Sequence, residues 1–72
     1  MKISYYPDTD SLYFDLAAKC SSESKEVSAG VVLDYDEKGN LVGIDIDQAS
    51  KKLDLSKLEL FKLPLEYQKI AA

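Results

Sequence analysis

The sequence predicts a small α+β domain: a four-stranded antiparallel up-and-down sheet (a β-meander), then a short C-terminal helical segment packed on one face. Three observations carry this. Residues 1–46 hold short runs with period-two or continuous apolar character, separated by turn residues. The apolar period changes to three or four beyond Asp47. At 72 residues and 8.0 kDa the chain has room for one core, so residues 1–72 form one domain.

The first strand covers 2–6, with Ile3 and Tyr5 on one face. Pro7-Asp8-Thr9-Asp10 is a turn, because proline presets its first φ angle and aspartate tolerates turn geometry. A second strand over 11–16 turns Leu12, Phe14 and Leu16 one way and Tyr13 and Asp15 the other. Residues 17–26 (AAKCSSESKE) read as a polar, Ser-rich connection.

A β-branched run without helical period makes 27–35 the third strand and 40–46 the fourth. Between them, Gly39 suits the left-handed position that closes a type I hairpin loop. Pairing Tyr35 with Asn40 sets Leu33 beside Val42 and Val31 beside Ile44. A three-residue loop would instead pair Asp34 with Val42 and Val32 with Ile44. The first register is preferred because a slip of one residue turns every side chain to the other face.

Helical segments are expected within 48–63. Asp47 is a candidate cap for a first turn through Ala49 and Leu53, and Asp54 for a second piece carrying Leu55, Leu58 and Phe61. Ser56 with Glu59 is the alternative cap, and Pro64 opposes helix at Leu63. Residues 65–72 stay unassigned.

The residues that are missing limit the chemistry. The chain has no His, Trp or Arg, and a single cysteine, Cys20. Serine triads with His, Cys–His nucleophiles and His-rich zinc sites are therefore unavailable, and the expectation is a non-enzymatic protein with no cofactor and no metal. An unpaired thiol fits a reducing cytoplasm. No run of apolar residues is long enough for a membrane span, and the N-terminal residues do not read as a secretory signal. Residues 1–50 carry four Lys against ten Asp/Glu, a net −6, while 51–72 carry five Lys against three acids, a net +2. An acidic sheet repels phosphate, so neither nucleic acid nor an anionic membrane is an expected partner.

Two constellations invite a functional reading. Asp34 to Asp45 places acids and a glycine at several positions of a calcium-binding loop. However, Lys38 stands where an oxygen ligand is needed, and the flanks are strands rather than helices. Asp34, Asp36, Asp45 and Asp47 share a face in the preferred register. They are solvated strand-end acids, a surface for a cationic partner or, least favoured, a carboxylate–metal hydrolase centre. Tyr6, Tyr13, Val32 and Leu41 lie opposite the chosen core. Apolar residues on both faces imply that both lose water, which one short helix cannot accomplish. A homodimer using a sheet face or an edge strand is the expected remedy. The candidate interaction surface is accordingly Tyr6, Tyr13, Val32, Leu41, Asp34, Asp36, Asp45 and Asp47.

Tyr5, Asp10, Leu12 and Tyr13, followed by Asp34, Tyr35, Asp36, Gly39, Val42-Gly43-Ile44-Asp45-Ile46 and Ala49-Ser50, form a pattern over residues 3–53. It resembles a small bacterial and archaeal family, the domain of unknown function 2283. The sequence departs from that pattern at Tyr6, Asp47 and Gln48. The resemblance implies a strand-rich domain with a helical tail and brings no catalytic residues. It also hints at toxin–antitoxin-like pairing, in which the acidic surface would neutralise a small basic protein.

Overall fold

The computed structural model describes residues 1–61. Five strands, not four, form one antiparallel sheet: β1 (Lys2–Tyr6), β2 (Ser11–Asp15), β3 (Glu23–Ser28), β4 (Val31–Tyr35) and β5 (Leu41–Ile46). They are followed by one turn of helix, α1 (Ala49–Lys52). The spatial order is β1-β2-β5-β4-β3, so the sheet is not a meander. β5, the last strand among the described residues, lies at the centre, between two hairpins.

The extra strand comes from the expected polar connection and from a break in the expected 27–35 strand. Gly30 adopts φ 73°, a left-handed conformation that reverses the chain after Ser28. Glu23–Ser28 then pairs back along β4, with an irregularity between Glu26 and Ser28 that leaves Val27 as the extra residue.

Both readings of the β4–β5 hairpin contribute to its register. The turn follows the three-residue loop: the Asp36 amide donates to the Asn40 carbonyl at 2.9 Å, and Gly39 sits at φ 82°. A bulge then adds Val42 between the Tyr35–Leu41 and Asp34–Gly43 pairs. Beyond it Leu33 pairs with Ile44 and Val31 with Ile46, two residues away from the preferred register. A shift of two keeps Val31, Leu33, Ile44 and Ile46 on one face, which hydrophobic patterning demands.

The same pairings place Ile3, Tyr5, Leu12 and Phe14 on that apolar face. The opposite face carries Lys2, Ser4, Tyr6, Ser11, Tyr13, Asp15, Ser24, Glu26, Val32, Asp34 and Asp45. It is a polar surface, so the expectation of two apolar faces is corrected to one. Leu41 pairs with Tyr35 and does not line up with Val32.

Over 48–61 the helical expectation reduces to α1, and its last two positions, 62–63, lie outside the described residues. Asp47 does not cap it; the residue before the helix is Gln48, at φ 51°. After Leu53, which is extended, Asp54 accepts from the Ser56 amide at 3.0 Å and from its hydroxyl at 2.5 Å. That side-chain turn takes the place of the expected second helix, as Asx turns compete with helical hydrogen bonding. The unassigned segment 65–72 lies outside the described residues.

Candidate interaction surface

On the polar face, one interaction ties four neighbouring strands together. The Tyr13 hydroxyl, from β2, crosses β5 and donates to Asp34 Oδ2 on β4 at 2.9 Å. Asp34 Oδ1 accepts from the Ser24 hydroxyl on β3 at 2.6 Å. The crossing needs Gly43 beneath it, since a Cβ there would lie 2.0 Å from the Tyr13 hydroxyl oxygen. The bond to Asp34 raises the Tyr13 pKa to about 12, with burial and the charges of Asp34, Asp15 and Asp45 adding to it.

A second network joins the two ends of the fold. Asp10, held at φ 54° in the β1–β2 turn, accepts the Ala49 amide on its carbonyl at 2.8 Å. Its carboxylate accepts the Ser50 amide at 3.1 Å, the Ser50 hydroxyl at 2.6 Å and the Tyr5 hydroxyl at 2.7 Å. Asp10 thus caps α1 from forty residues upstream of Ser50. The Ser50 hydroxyl, followed by that of Tyr5, holds its carboxyl below the usual carboxylate range. The same bond raises the Tyr5 phenol. A cap so distant in sequence leaves no local signal; aspartate's tolerance of a left-handed turn was the only available clue.

The four aspartates singled out in the sequence do not gather. Asp34 and Asp45 lie on the polar face. Asp36 is buried in the hairpin turn, where its carboxylate accepts the Lys38 and Asn40 amides, each at 2.9 Å, and the Asn40 side-chain amide at 3.2 Å. The bond from the Asn40 backbone is the largest influence lowering its pKa. Asp47 lies beyond β5, with its amide on the Gly30 carbonyl at 2.7 Å and its carboxylate 3.4 Å from the Ser11 hydroxyl. Among the described residues, no three acidic or cysteine side chains group as a metal site would. Cys20 is exposed.

Among the described residues, nothing covers the apolar face fully. No large side chain among the described residues is completely buried; Leu12, Val42 and Ala49 make up the buried apolar core. The segment after α1 passes over β1 and β2 and leaves a groove of about 620 Å³, lined by Ile3, Tyr5, Leu12, Phe14, Leu53 and Leu58. Its rim is open, with Ile3 39%, Tyr5 44% and Leu58 60% exposed. No helix among the described residues is long and apolar enough to cross a membrane.

Among the described residues, these features define an antiparallel-sheet domain with one polar face, one partly covered apolar face and a remote aspartate cap on the turn of helix that follows the sheet. Residues 2–50 match the model of a family described as proteins of unknown function, DUF2283, and the chain belongs to that family. No curated protein and no solved structure matches it.

Proposed function

We propose that the domain is a non-enzymatic, cytoplasmic protein-association module that works as a homodimer. The observation that carries this reading is the open apolar groove along β1, where Ile3, Tyr5 and Leu58 remain substantially exposed. A chain this small gains little from its own core, and exposed apolar rims of this kind mark contact surfaces. The interface belongs on the apolar face. On the polar side, Tyr13 and Asp34 are engaged with one another.

Sedimentation of the full chain from low to high micromolar concentration tests the reading. The expected result is a species of twice 8.0 kDa that dissociates on dilution and loses thermal stability as it does so. An unchanging 8.0 kDa species would end the proposal. Titration with Mg²⁺, Mn²⁺ and Ca²⁺ is expected to leave the amide shifts of Asp34, Asp36, Asp45 and Asp47 unmoved; specific shifts would reopen the hydrolase alternative.

The polar face favours a second reading, a small basic protein as partner. Among its strand residues, Asp15, Glu26, Asp34 and Asp45 outnumber the single lysine, Lys2. Capture of a basic protein by the parent chain, lost with Asp15→Asn/Asp45→Asn, would support it; capture unaffected by those changes would refute it.

A further inference from the structure

The two edges of the sheet differ in a way that selects a docking mode. β3, at one edge, is a guarded strand: Glu23, Lys25 and Glu26 charge it, and an irregularity at Val27 interrupts its pairing line. β1, at the other edge, reads Lys-Ile-Ser-Tyr-Tyr, is regular along its whole length, and carries one charge, at its first residue. Among the described residues it pairs with β2 alone. Unpaired backbone amides and carbonyls along a regular strand with little charge are a template for another strand.

Resting on the homodimer reading, we infer that β1 is the seam: the β1 strands of two copies pair antiparallel about a twofold axis through Ser4, making one ten-stranded sheet. The sequence of β1 is self-complementary in this arrangement. Ser4 meets Ser4, Ile3 of each copy lies opposite Tyr5 of the other on the apolar face, and Lys2 lies opposite Tyr6 on the polar face. Charge agrees with the direction. The positive end of β1, at Lys2, runs beside the other copy's Tyr6–Asp10 end, where Asp8 is exposed and Asp10 is ionised. On β3 a twofold axis through Lys25 or Glu26 opposes like charges; one through Ser24 sets Glu23 against Lys25, but the irregularity at Val27 keeps that pairing short, so Ser24 marks the register that the control must probe.

A specific interface buries roughly 800 Å² on each partner, more than one short strand supplies. The apolar groove flanking β1 adds contact area beyond the strand itself. The twofold axis brings the Ile3, Tyr5 and Leu58 rims of both copies to the same side of the joined sheet, where they shield one another.

Cysteine cross-linking of the full chain tests the seam. In a Cys20→Ser background, Ser4→Cys places one thiol on the axis, while Ser24→Cys places one on the β3 edge as a control. Directly opposed antiparallel residues have Cα atoms about 4.5–5.5 Å apart, within the disulfide range. Under mild oxidation at micromolar chain, Ser4→Cys is expected to form a covalent dimer about tenfold or more faster than Ser24→Cys, both keeping the parent circular dichroism spectrum. Amide exchange in β1 should also slow as concentration rises. A chain that sediments as a dimer yet cross-links no faster at Ser4 than at Ser24, with β1 exchange independent of concentration, overturns the seam alone. A chain monomeric at every concentration overturns both the seam and the homodimer.

Discussion

Tyr13 and Asp34 lie on strands that are not neighbours, yet they meet directly, because Gly43 on the intervening strand has no side chain to keep them apart. The bond spans the centre of the sheet above β5 and, through Ser24, extends to the β3 edge. It also accounts for the glycine within β5, a strand position where glycine otherwise weakens packing.

Gly43→Ala is therefore expected to cost about 1–3 kcal/mol, since the added methyl displaces the Tyr13 ring and its hydroxyl from Asp34. In a Tyr13→Ser background the same change should cost less than about 0.5 kcal/mol, because the crossing group is gone. Urea denaturation of the four chains in this cycle gives both values. Equal costs in the two backgrounds would show that Tyr13 is not what requires the glycine.

At alkaline pH the same bond becomes a liability. The Tyr13 pKa is raised from the ordinary value of 10.0 to about 12. The stability this contributes is fully present below pH 10 and is lost as pH climbs from 10 through 12. Tyr13→Phe should show a shallower alkaline decline than the parent, the lysines being common to both. Absorbance titration should find one fewer late-ionising phenol in the variant.

Asp10 should contribute to the acid limb, together with Asp36 and Asp54, whose carboxyls are also held below the ordinary value. Its pKa lies below the ordinary 3.8, so its contribution is present above pH 3.8 and disappears as pH falls through the lowered value. Asp10→Asn keeps a residue that tolerates φ near 54° and can still accept from Ser50. It is expected to retain most of the stability at neutral pH while flattening the acid dependence. Asp10→Ala loses the cap and strains the turn, so its melting temperature should fall by several degrees and the Ser50 amide should exchange faster. Unchanged Ser50 exchange in Asp10→Ala would remove Asp10 as the cap of α1.

Gly39 differs from Gly43 in kind. Nothing lies within 4 Å of where its Cβ would be, but its φ is 82°. Gly39→Ala should accordingly cost about 1 kcal/mol through the backbone alone, and Gly39→Asn distinctly less. Thermal unfolding of both variants distinguishes them; equal losses would point to a steric cause.

Much of this architecture was legible because the relevant signals are local. Alternation in 2–6 and 11–16 and the Asp36–Gly39 turn each depend on neighbouring residues, and the structure has them. β3 was hidden because all six of its residues are exposed, so it has no apolar alternation to display; Glu23–Ser28 resembles a loop for the same charged composition that guards its edge. The reversal at Gly30 was obscured by apolar residues on both sides. The β2–β5 pairing and the Asp10 cap join residues 28 to 40 positions apart, beyond any periodicity. The candidate surface fared similarly: Asp36 and Asp47 are absorbed by turn and backbone contacts, whereas the groove at Ile3, Tyr5 and Leu58 depends on how the chain returns after α1.

The central place of β5 has a consequence for synthesis. Until Ile46 has left the ribosome, the nascent polypeptide holds two separate hairpins, each marginal by itself, with no strand to join them. Completion waits for Leu41–Ile46 to emerge, and then a single six-residue insertion links both halves. Any stall or truncation before that point would release a chain with two unmatched inner edges, a ready substrate for chaperones and proteases.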